Sequence, residues 1–169
     1  MSGTEQASTA TRALRGATAG LVAGVVASFA MEVAQSLLAR LQPSDGDDEE
    51  PATAKAADCV VETVTGSSVP EPDQPLAGEI VHYLTGAGLG IAYGLAAEFR
   101  PEVTVGYGAG FALTTATLLD EGAVPAAGLG APPWETPPAT HLYSFASHLV
   151  FGVIAELTRR QMNASLQPR

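Results

Sequence analysis

Glu32, His82, Asp120, Glu121 and His148 share one setting: each ionisable side chain stands inside a long apolar stretch. Charged groups in hydrocarbon cost about 2.5–3.5 kcal/mol each on insertion scales, so chains keep them for function or pair them. Two imidazoles and three carboxylates offer two chemistries. They can ligate a divalent metal such as Zn, Fe or Mn, or hold and pass protons with affinities set by burial and by one another. A structural reading competes with both, in which buried pairs such as His148 with Asp120 fix helix register. No HExxH, Glu-x-x-His or Cys/His ligand spacing is expected to act here, so the sequence admits a divalent metal without specifying one. No nucleophile elbow, P-loop or dinucleotide fingerprint is present, and the chain gives no reason to expect an enzyme.

The stretches that must position these residues are roughly Leu14–Leu41, Ala77–Phe99, Val103–Val124 and Ala139–Leu157, each 19–28 residues long. About 20 apolar residues cross the hydrocarbon core of a bilayer. Read as alternating spans, they bring Glu32, His82, Asp120, Glu121 and His148 to similar depth, in the half nearer one face. At 100° per residue each span gathers its polar and small residues into a stripe. The stripes are Gly24, Ser28, Glu32 and Gln35; Glu79, His82, Gly86 and Gly90; Gly106, Gly110, Thr114, Thr117 and Glu121; and His141, Ser144, His148, Gly152 and Glu156. Stripes of this kind are expected to face one another or a hydrated cavity. His141 and Glu79 fall near the outer surface, and Glu98 and Glu156 at the inner interface.

The predicted fold is therefore all-α: a polytopic four-helix transmembrane bundle, with a soluble helical bundle as the competing architecture. Hydrophobic residues make up 46% of the chain, and the mean hydropathy of +0.18 hides segregation. Nine of the 18 acidic residues lie between Asp45 and Asp73, outside the apolar stretches. A net charge of −10 argues against nucleic acid, whose binding needs clustered Lys and Arg. The basic residues read instead as topology signals. Arg12, Arg15, Arg100, Arg159, Arg160 and Arg169 flank one side of the spans, against Arg40 and Lys55 on the other, which predicts both termini in the cytoplasm. A cleaved signal is the alternative for the first span, with Ser28-Phe29-Ala30 as its small-x-small site. Cys59 stands alone, so no intramolecular disulfide can form.

Along the chain, residues 1–11 read as a disordered N-terminus, 12–161 as the membrane domain and 162–169 as a tail. Ser44–Glu50 is an acidic solvated run. Pro51 at a helix start and Gly66 past its end frame a short amphipathic helix over residues 51–65 on the outer side, with Ala57, Val60, Val61 and Val64 on one face. Trp134, Tyr83 and Tyr143 are placed as interfacial aromatics. Small residues at four-residue spacing recur as Gly16, Gly20 and Gly24, as Gly86, Gly90 and Gly94, and as Gly106 with Gly110. Such runs let membrane helices approach at backbone distance, and they predict a tight inner half and a more open, polar outer half. The segment from Tyr93 to Glu98 echoes Phe151 to Glu156, as two parallel hairpins or by coincidence of Gly/Ala-rich composition.

Pro51–Ala57, His82-Tyr83 with Gly86, Gly90 and Tyr93-Gly94, Asp120–Pro125, and His141-Leu142-Tyr143 with His148–Gly152 together resemble the YagU-like family of bacterial inner-membrane proteins of unknown function. The likeness covers roughly residues 14–160. It implies a multi-pass inner-membrane protein and brings no activity with it. The residues themselves favour a protein that binds or passes a proton or cation. The rival is a non-catalytic structural or assembly subunit, a homo-oligomer or a membrane-protein partner docking on the glycine faces.

Overall fold

The computed structural model describes residues 8–40 and 50–166. Among these the chain is all-α: α1 (Thr9–Ala39), α2 (Ala52–Thr65), α3 (Gln74–Phe99), α4 (Ala109–Leu118), a π-helical turn (Leu119–Ala123), α5 (Val124–Ala126) and α6 (Pro138–Leu166). Local chemistry sets most boundaries. The Ser8 side chain accepts from the Thr11 amide at 3.2 Å and caps α1. Pro51 stands before the first turn of α2, and Gly66 takes the left-handed conformation that ends it. Pro75 occupies the first turn of α3, and Arg100-Pro101 closes its other end.

Some sequence expectations shift. α1 begins at Thr9, so part of the N-terminal segment read as disordered is helical; residues 1–7, the expected end of the first span at Leu41 and the acidic run up to Glu49 lie outside the described residues. The third span is shorter than 103–124. Gly106, Tyr107 and Gly108 all have positive φ, which an α-helix cannot use, so helix begins only at Ala109. Gly106 and Gly110 are consequently exposed and make no close helix contact. Gly108 takes that place: a methyl there would overlap the Gly152 carbonyl of α6.

The principal seam joins α1 to α3. Gly16, Gly20 and Gly24 face Gly94, Gly90 and Gly86 so closely that a Cβ on any of them would meet the opposite helix. That order makes the two helices antiparallel. Glu98 with Asn163 and Tyr93 with Glu156 set α6 parallel to α3, while Gly108 with Gly152 and Asp120 with Ser144 set α4 antiparallel to α6. Directions thus alternate along the chain.

The core is mostly small side chains, with Tyr93, Phe151 and Met31 set among them. Ala19, Ala23, Ala27, Ala112, Ala116 and Ala155 are fully buried, whereas Leu21, Val25, Phe29, Val33 and Leu37, on the opposite face of α1, are exposed. α1 and the helical stretch Glu71–Phe99 are long and apolar enough to cross a membrane, with only 28% and 22% of their apolar windows buried.

Candidate functional site

The ends of the bundle are chemically opposite. At the end holding the start of α1, Glu98 is buried and receives Arg15 Nη2 at 2.6 Å, Arg15 Nε at 3.2 Å and Asn163 Nδ2 at 3.2 Å. Arg12 lies 4.0 Å from the same carboxylate and stacks over Phe99. Glu156 is wholly buried and is held by Tyr93 Oη at 2.8 Å, Arg159 Nε at 2.8 Å and Arg160 Nε at 2.6 Å. These interlocked charges seal one end. Sequence reasoning placed Glu98 and Glu156 at an interface and used the arginines only for topology. The repeated Tyr93–Glu98 and Phe151–Glu156 segments, each ending in a carboxylate, carried the signal for this pair of locks.

At the other end the helices part around a cavity of about 780 Å³, roofed by the start of α2. α2 docks where Ala54 meets Gly78 of α3, and Asp58 Oδ1 accepts from the Val69 amide at 2.6 Å, tying down the loop behind it. Of the expected apolar face, Ala57 is buried, together with Ala54, whereas Val60 and Val64 are exposed.

Glu32, His82, Asp120 and His148 all line this cavity. His82 Nε2 lies 3.3 Å from the Ser28 carbonyl, and Tyr83 Oη donates to Glu32 at 2.9 Å. His148 is buried, with Nδ1 3.1 Å from the Ser144 carbonyl and 3.5 Å from Asp120 Oδ2; Ser144 Oγ also donates to Asp120. Glu79 joins the lining, three residues from His82 on the same helix face. That is a Glu-x-x-His spacing, a ligand pattern the sequence reading had set aside as absent.

Glu121 goes elsewhere. It faces a second cavity of about 550 Å³, where His141 Nδ1 approaches Glu121 Oε1 at 2.6 Å and His141 Nε2 approaches the Pro133 carbonyl at 3.1 Å. Both partners are acceptors, so the arrangement needs either an N–H on both ring nitrogens or a protonated Glu121. His141 is therefore a partner to a carboxylate rather than a plain interfacial residue.

The π turn separates the adjacent acids. Pro125 has no N–H to give the Glu121 carbonyl, and its ring would crowd that carbonyl in an α-helix. The Val124 amide bonds Leu119 instead, one residue further back, and widens the turn. The extra residue also shifts the helical phase. Thr114 and Thr117, expected in the polar stripe, are exposed and donate to the carbonyls of Gly110 and Leu113, while Ala112, Thr115 and Ala116 form the buried face.

Among the described residues, no three His, Cys, Asp or Glu side chains are grouped to hold a metal ion. What the cavity does gather is negative charge. Glu32, Glu50, Glu71, Glu79 and Asp120 line it with His82 and His148, and its described lining includes no Lys or Arg.

The fold and site thus define an alternating helical bundle, sealed by arginine–glutamate locks at one end and opened into an acidic cavity at the other. The chain belongs to the family described as Protein of unknown function (DUF1440), whose model matches residues 60–157. The match takes in His82, Asp120, Glu121 and His148 but not Glu32. No curated protein and no solved structure matches the chain.

Proposed function

We propose that this chain is a four-span protein of the bacterial inner membrane, of the YagU-like kind, and that its acidic cavity binds or passes a proton or cation from the outer side. α1, α3, the α4–α5 segment and α6 are the spans. Residues 109–126 rise about 27 Å, close to the ~30 Å of a hydrocarbon core. The packing supports the membrane reading. A soluble bundle buries its large apolar residues; here alanine and glycine fill the centre while Leu21, Val25, Phe29, Leu84, Leu113 and Leu118 face outward, as lipid allows. Arg12, Arg15, Arg100, Arg159 and Arg160 gather toward the sealed end, which the positive-inside rule puts in the cytoplasm.

The observation that carries the functional reading is the cavity lining: five carboxylates and two imidazoles, with no Lys or Arg among the described lining residues. A concave wall of one charge sign raises the local concentration of the opposite ion. Behind it the glycine seam and the two locks leave tight packing, so the shape favours a site loaded from one side. Purified protein in liposomes, followed with an internal pH dye and by elemental analysis, tests this. Saturable proton or cation uptake that falls in Glu32→Gln and Asp120→Asn supports it. A flux-silent, ion-free protein that co-purifies with a larger membrane complex supports the rival role, a structural or assembly subunit.

A further inference from the structure

We infer that the cation this cavity takes is organic, an ammonium ion carrying an apolar body; this deepens, and rests on, the cation-binding reading above. Size is the first reason. A volume of about 780 Å³ falls among small-molecule sites, which run about 300–1,000 Å³. A bare divalent ion instead needs several ligands drawn to within about 2–2.6 Å, and no such grouping exists among the described residues. A proton alone needs no chamber at all.

The wall chemistry is the second reason. Met31, Leu89, Leu119, Val124 and Phe151 give the cavity apolar walls, and a ligand with an apolar body gains by burying surface there. The charges stand on two sides, Glu32 and Glu79 from α1 and α3, Asp120 from the π turn. A cationic head can therefore meet a carboxylate while its body lies on the apolar wall.

Ethidium titrated into the full chain in lipid nanodiscs, read by fluorescence polarisation, tests the inference. Variants Glu32→Gln and Asp120→Asn remove charge; Leu129→Trp fills space from a half-buried loop position in the lining. The expected result is saturable binding, displaced by tetraphenylphosphonium but not by calcium, and weakened about tenfold or more in all three variants. Equal binding by wild type and all variants means partition into lipid and overturns the inference. No saturable ethidium binding, alongside proton or metal uptake that depends on Glu32 and Asp120, overturns the organic ligand and leaves cation binding standing. Silence toward ethidium, protons and metals alike overturns both.

Discussion

Glu156 shows what a single charge is worth inside this molecule. It has no solvent contact and serves two arginines and a tyrosine. Removing one partner from a buried ion pair leaves an uncompensated charge and costs about 3–5 kcal/mol. Glu156→Gln strands the buried Arg159 guanidinium, and thermal unfolding in detergent is expected to fall by an amount of that order. An unchanged melting temperature means the lock is not needed for the fold. His148 poses the complementary question. If it serves the site, His148→Ala abolishes cation uptake and leaves the fold largely intact. If it is structural, the change leaves Asp120 with one fewer partner and costs about 1–3 kcal/mol, seen as lost thermal stability. Neutrality in both measurements contradicts a role for this imidazole. Of the five residues the sequence marked, Glu32, His82, Asp120 and His148 line one cavity. The pairing of His148 with Asp120 was legible, and the two stand 3.5 Å apart; that of Glu121 with His141 was not, because Asp120 and Glu121 are neighbours in the chain yet turn to different imidazoles.

Helices α1 and α3 were the most legible elements, since a long unbroken apolar run followed by a proline leaves few alternatives. Their glycine spacing also pointed to the seam that forms. The third apolar stretch was not legible in the same way. A 3.6-residue pattern assumes one uninterrupted helix, whereas Gly106–Gly108 delay its start and Pro125 imposes a wider turn near its end. Phase projected across such breaks turned Thr114 and Thr117 to the wrong side. The seam carries its own prediction. In Gly90→Val the new side chain meets the Gly20 carbonyl and Gly24 backbone, and overpacking costs about 1–3 kcal/mol. The melting temperature should drop, while Gly88→Val, facing open space on the same helix, should change it little. Equal effects contradict a seam at backbone contact.

Among the described residues the molecule carries its arginines toward one end and its cavity-lining carboxylates at the other. Its all-helical class was readable from the long apolar runs, and the difference between its ends from where Arg and Glu fall along them. An open, polar end was expected from the stripes; the roof of the cavity was not legible, since it depends on where α2 docks through Ala54 and Gly78. Cys59 is the chain's sole cysteine and is exposed on that helix, so it can report on the central claim directly. An environment-sensitive, membrane-impermeant thiol dye attached there in spheroplasts should label from the outer side. Its emission should then respond to cations added outside, and that response should vanish in the Glu32→Gln, Asp120→Asn double variant. No outer labelling, or the same response in the double variant, contradicts an outward-facing acidic cavity that binds a cation.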